Sequence, residues 1–126
     1  LIPEELRYTE EHEWVATRTE TLVRVGITEY AQQQLGDVVH VQLPEVGERV
    51  EQGSPIGEVE STKSVSELFA PLTGEVTAVN DEAVDQPELL NSDPYGEGWL
   101  VEIEVDDPDT LDGLLDAEAY TPLTRG

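Results

Sequence analysis

The chain has no cysteine and no methionine, one phenylalanine, and six basic side chains of which a single one, Lys63, is lysine. Without thiols there is no disulfide framework, no thiolate nucleophile and no Cys-containing zinc site. His12 and His40 stand far apart in the sequence and do not make a His-rich metal site. No apolar run approaches the roughly 20 residues that a membrane-spanning helix needs, and no basic stretch followed by an apolar one opens the chain as a signal peptide would. A soluble protein of the cytoplasm is the expectation. The shortage of cations also excludes a nucleic-acid binder, because neutralising phosphates takes clustered Lys and Arg, whereas here the formal net charge is −23.

What the chain has in abundance is acid. Asp and Glu occupy 29 of 126 positions, spread over the whole length, while 37% of residues are apolar. That apolar share is enough for a core, so a single folded domain over 1–126 is expected in place of a disordered acidic tail. Replacement of Lys by acids over a foldable apolar pattern suits a protein of a halophilic organism. In molar salt the Debye length shrinks to about 3 Å and relieves the self-repulsion of such a surface.

Apolar residues recur mainly with period 2, which marks strands. In 21–27, Val23, Val25 and Ile27 alternate with Leu22, Arg24 and Gly26. In 37–43, Val39, Val41 and Leu43 fall opposite Val38, His40 and Gln42. In 99–105, Trp99, Val101, Ile103 and Val105 share a face opposite Leu100, Glu102 and Glu104, as in a half-buried antiparallel strand. Shorter strands fit at 12–17, 56–60, 65–70 and 74–79, punctuated by Gly and Pro. Thr28 can cap a short helix that Gly36 ends, and Asp107, Pro108 and Asp109 start a second at 108–115, opening a C-terminal helical extension over about 107–124. VEQGSPI at 50–56 and VDQPELL at 84–90 form a loose internal repeat. If each copy belongs to one half of a sandwich, an approximate dyad relates two antiparallel sheets.

Lys63 lies between the two copies. The strand before it runs out through Glu60, Ser61 and Thr62, and the strand after it begins at Val65, so the lysine falls at a hairpin tip with only small neighbours. A surface lysine needs no special explanation in most chains. Here the sole survivor occupies such a tip, and a covalent attachment point explains that better. A Schiff-base or general-base lysine needs an apolar pocket or cationic neighbours, and Glu58, Glu60 and Glu67 provide the opposite setting.

Four collinear blocks, YTEEHEWV (8–15), VGITEYAQQQLGDVVHVQLPEVG (25–47), VESTKSVSELFAPLTGEVTAVN (59–80) and NSDPYGEGWL (91–100), resemble the H protein family of the glycine cleavage system over nearly the whole chain. Thr62 and Ser64 flank the lysine where biotinyl domains favour Met. The resemblance implies a mainly β fold, a flattened lipoyl-type sandwich or barrel with peripheral helices. It also implies a non-catalytic carrier with lipoate in amide linkage on Lys63. Its implied partners are a pyridoxal-phosphate glycine decarboxylase (P protein), a tetrahydrofolate-dependent aminomethyltransferase (T protein), dihydrolipoamide dehydrogenase (L protein) and a lipoylating enzyme, serving a monomer.

The arm is expected to rest in a surface cleft when loaded. Glu13, Gln34 and Glu67 are the candidate cleft residues, with Gln34 standing where family members often carry His. His12 fits a strand partner and a site residue equally, and Trp14 suits the core. Glu58, Glu60 and Glu67 are candidates for recognition by the lipoylating enzyme. Two alternatives stay open at this level, a relay that donates lipoate or octanoate to other enzymes and an unmodified interaction protein of the same fold. Charge makes its own prediction: the melting temperature should rise by at least roughly 4 °C, what about 1 kcal/mol produces near this length, between dilute buffer and molar KCl. A flat midpoint would contradict the salt-adapted reading.

Overall fold

The computed structural model describes residues 2–125. Nine strands, β1 (Arg7–Tyr8), β2 (Glu13–Thr17), β3 (Leu22–Ile27), β4 (Val38–Gln42), β5 (Arg49–Val50), β6 (Pro55–Ser61), β7 (Val65–Phe69), β8 (Gly74–Val79) and β9 (Val101–Val105), form two sheets. One sheet has the order β1-β2-β3-β9-β8-β5 and the other β4-β6-β7, and every pairing is antiparallel. Neither sheet closes on itself, so the architecture is an open two-sheet sandwich and not a barrel. The alternating valines explain it. Val23, Val25 and Ile27 of β3 and Val101, Ile103 and Val105 of β9 face inward, meeting Val41, Val59 and Leu68 of the smaller sheet in one core. Each large aliphatic side chain fully buried there contributes about 1.5–3 kcal/mol.

Helices fill the gaps between strands. α1 (Glu29–Leu35) begins at Thr28, whose hydroxyl accepts the Ala31 N–H, and ends at Gly36, whose N–H returns to the Gln32 carbonyl. Two further helical turns, α2 (Asp81–Asp85) and α3 (Leu89–Ser92), follow β8. The C-terminal segment has a 3-10 turn at Pro108–Gly113, then α4 (Ala117–Tyr120) and a second 3-10 turn at Thr121–Thr124.

Four expectations need correction. Strict alternation fails in β4, where an extra residue sits between Val38↔Ser61 and His40↔Glu60. This bulge turns Val39 outward at 51% exposure and brings Val38 into the core. At the other end of the chain, Leu100 is buried although it shares parity with Glu102 and Glu104. It precedes β9, where its N–H meets the Val25 carbonyl before the pleat begins. The repeat is not structural, for 50–56 spans β5, a turn and the start of β6, whereas 84–90 crosses α2 and enters α3; a dyad drawn on those copies is overturned. Finally, no helix reaches 115. Leu115 is extended and exchanges both backbone hydrogen bonds with Tyr8.

That exchange ties the C-terminal segment to β1, and aromatics complete the seam. Tyr8 and Tyr120 stack with centroids 4.6 Å apart, beside fully buried Trp14, whose indole N–H donates to the Pro94 carbonyl at 2.9 Å. The indole lies flat on Gly26, where a Cβ would come within 2.6 Å of it. Gly26→Ala should therefore cost about 2 kcal/mol through overpacking, measured by urea denaturation at fixed salt; an unchanged midpoint would show that the indole has room to move.

Candidate functional site

The turn between β6 and β7 is built on one hydroxyl. Ser61 Oγ accepts the N–H groups of Lys63 and Ser64, each at 3.1 Å, and lies 3.2 Å from the Ser64 carbonyl, to which it donates. The Ser61 N–H donates to that same carbonyl at 2.8 Å. Ser61 is buried while Thr62, Lys63 and Ser64 are exposed, so the serine supports the apex from within. A short polar residue closing a strand three positions before a turn's end is the local signal for this role. The apex is also tethered sideways, since the Thr62 N–H donates to the Asp37 carbonyl at 3.1 Å.

Lys63 extends over Gly36. A Cβ at position 36 would lie 3.2 Å from Lys63 Cε, and Gly36 has φ +83°, a conformation that favours glycine. The ammonium makes no ion pair among the described residues.

Beside the apex a cleft of about 310 Å³ opens between α1 and β7. Ile27, Ala31, Leu35, Val59 and Leu68 supply its apolar surface, and Ser64 and Val65 line its hairpin end. Glu13, Gln34 and Glu67 all line this one cleft, together with His12. Gln34 and Glu67 are exposed, whereas Glu13 is 2% exposed. Glu58 and Glu60 are exposed on β6, outside the cleft lining, with Glu58 paired in register to Glu67. Trp14 does not line it and belongs to the aromatic seam. A second groove, of about 330 Å³, borders Glu13 on another side but includes no residue of 61–67.

Glu13 is the electrostatic centre of the cleft. One carboxyl oxygen accepts the Phe69 N–H at 2.7 Å, and the other is 3.1 Å from the Thr9 hydroxyl. Burial pushes its pKa up to about 8, the Phe69 and Thr9 hydrogen bonds opposing the rise and Glu11 adding slightly to it. At neutral pH the carboxyl is accordingly largely protonated.

His12 precedes it with φ +67°, a strained conformation for a residue with a side chain. Its Nδ1 lies 2.8 Å from the Tyr120 hydroxyl, which is 2.8 Å from the Thr28 hydroxyl in turn. Burial holds its pKa below the ordinary histidine value, with Glu11 opposing. His12 thus both ties the start of β2 to Tyr120 and lines the cleft. Among the described residues no group of three or more His, Asp or Glu could hold a metal, and no helix is long and apolar enough to cross a membrane.

A sandwich that presents one amine on a hairpin apex, next to a cleft with an apolar lining and one buried carboxyl, is a carrier domain in form. Its chemistry is for other proteins to complete. The chain belongs to the glycine cleavage H-protein family: the family's sequence model, described as glycine cleavage H-protein, matches residues 6–125. The glycine cleavage system H protein of Anaeromyxobacter sp. (strain K) is 60% identical, with 94% of this chain and 92% of that protein covered. That of Mycobacteroides abscessus is 58% identical, with 98% and 97% covered. The crystal structure of a glycine cleavage system H protein from Mycobacterium marinum superposes with a TM-score of 0.85 at 46% identity, covering 96% of this chain and 97% of that one. The protein is therefore a lipoyl carrier of the glycine cleavage system, a component without catalysis of its own.

The raised Glu13 pKa has a definite sign in stability. The folded carboxyl titrates near 8 and an unconstrained one near 4.5. Between these values the folded state holds a proton that the unfolded state has lost. The associated stability is complete below the lower value and disappears as pH rises to the upper one. Relative to Glu13→Gln, the wild type should lose stability across pH 4.5–8, by an amount of order a few kcal/mol, and level off above. Urea denaturation of both proteins over that range checks it; parallel curves would contradict it.

Proposed function

We propose that Lys63 carries lipoate in amide linkage and that the cleft between α1 and β7 receives the loaded end of the arm. The observation that carries this reading is the placement of the chain's sole lysine on the apex whose next two residues, Ser64 and Val65, line the cleft. The residues present fit the group. Apolar cleft surface suits a hydrocarbon arm, and the exposed amine is open to a modifying enzyme. When bound, lipoate supplies the disulfide that takes up the aminomethyl group and electrons, chemistry that a chain without cysteine does not contain.

The protein's own residues hold and shield. Ile27, Leu35, Val59 and Leu68 exclude water from the cleft. Glu13 waits as a neutral acid. A cationic amine brought against it favours ionisation, so its proton leaves to solvent and the carboxylate charge forms when a partner for it arrives. Glu67 adds a second carboxylate at the exposed side, and Gln34 a neutral hydrogen-bonding amide. Exposed Glu58 and Glu60 stand ready for the lipoylating enzyme.

In this reading the P, T and L proteins address one tethered group in turn, its effective concentration raised by the tether. The chain works as a monomer in the cytoplasm of a halophilic organism, its docking dependent on short-range fit because molar salt weakens long-range steering. The test is mass spectrometry of the peptide around Lys63 from the native host, paired with glycine–carbon dioxide exchange using cognate P protein. A lipoyl mass on Lys63, with mass and exchange both lost in Lys63→Arg, is expected. A bare amine alongside undiminished exchange would overturn the proposal.

A further inference from the structure

α1 forms one wall of the cleft through Tyr30, Ala31, Gln34 and Leu35. It has only seven residues, far fewer than a helix needs to persist by itself. Its position must be imposed from outside. Hydrogen bonds from one short segment, 91–95, reach both of its ends.

At the start of the helix, the Tyr95 hydroxyl accepts the Glu29 N–H at 3.0 Å, one of the donors that the helix itself leaves unmatched. At the other end, the Asn91 amide donates to the Gly36 carbonyl at 2.8 Å and to Gln32 Oε1 at 2.9 Å. Its oxygen accepts the Val38 N–H at 2.9 Å. One side chain thus spans from the last full turn of α1 to the first residue of β4. Between the residues it grips lies Asp37, whose carbonyl tethers Thr62, the neighbour of Lys63.

The segment is itself fixed. Leu90 is fully buried, and the Pro94 carbonyl is held by the Trp14 indole. The Asp93 side chain and carbonyl accept the N–H groups of Glu97 and Gly98 in the turn that follows.

We infer that Asn91 and Tyr95 are positioning residues, a two-point brace that sets the cleft wall α1 and, through Gly36–Val38, the attitude of the apex bearing Lys63. The brace acts through three backbone groups, the Glu29 N–H, the Gly36 carbonyl and the Val38 N–H, and through the Gln32 side chain. Asn91 and Tyr95 are absent from the cleft lining, so removing them alters cleft and apex without deleting a cleft side chain. The inference rests on the proposed use of Lys63 and the cleft, and its first measurement is independent of lipoate.

Asn91→Asp keeps an oxygen for the Val38 N–H but has no N–H for Gly36 or Gln32. Tyr95→Phe removes the acceptor of the Glu29 N–H. In unlipoylated protein, amide hydrogen exchange in Asn91→Asp should become roughly tenfold faster at Gly36, Val38 and Thr62, while β3 and β9 amides keep wild-type protection. In Tyr95→Phe the acceleration should fall at Glu29. In lipoylated, aminomethyl-loaded protein both variants should release the group several-fold faster at a temperature where each is folded, and Asn91→Gln should not restore Asn91, its amide being set one methylene too far out.

Unchanged exchange at these amides in both variants would overturn the brace, and so would faster release in Asn91→Asp that Asn91→Ser does not share, because Ser has a hydroxyl too short to span the three partners but adds no charge, so the effect would then belong to the Asp charge and not to the lost bonds. Accelerated exchange with an unaltered release rate would overturn the positioning role. A wild-type Lys63 found bare would refute the attachment reading alone, because the exchange result still decides whether the brace exists.

Discussion

The contact on which the site depends is the one between the Glu13 carboxyl and the Phe69 N–H. β7 is the outer strand of the three-stranded sheet, and an outer strand has backbone groups with no neighbouring strand to pair them. A side chain from β2, in the other sheet, supplies the acceptor. The link crosses the gap between the sheets at the place where the cleft opens. It requires a polar group almost fully buried, and the cost of burial falls mainly on the charged form, so the carboxyl stays protonated to higher pH than an exposed one. A structural tie and a cleft able to change its charge therefore come from the same side chain.

The remaining acidic residues follow a different rule. Among the described residues, Glu13 is the one buried acid. Few cations are present to pair with the others. Arg24 meets Glu102 at 2.9 Å while lying over the Trp99 ring at 4.3 Å, and Arg49 pairs with Asp106 in the open. An exposed pair such as the second contributes little, and the first is partly buried beneath the ring contact. Stability comes from the valine-rich core and the aromatic seam, and the acidic shell is a matter of solvent and salt.

Legibility of the fold tracked how local each interaction is. The alternation in β3 placed Val23, Val25 and Ile27 correctly because a pleated strand with one buried face has period 2. Thr28 and Gly36 marked α1 because capping involves neighbours within four residues. β4 broke its pattern at Val39, since a bulge depends on how β6 pairs beside it. α2 and α3 carry too few apolar positions to show a helical period, and 84–90 passed for a copy of 50–56 because both combine Val, an acid, Gln and a terminal aliphatic residue. Asn91 and Tyr95 carried no sign of their contacts within a family block noted for its order and spacing.

By itself, the amino-acid sequence determined that this is a strand-rich acidic protein with one lysine, and that the lysine lies at a turn between two strands. Those properties reside in composition and in spacings of a few residues. Only the tertiary structure decided that Glu13, Gln34 and Glu67 line a single cleft, that burial makes Glu13 a weak acid, and that Asn91 holds the end of α1 beside Lys63. Asn91 and the Val38 N–H are 53 residues apart along the chain, and Glu13 and the Phe69 N–H are 56 apart. Contacts at such separations exist only once the sheets have packed, and the burial that sets the Glu13 proton affinity comes into being at the same moment.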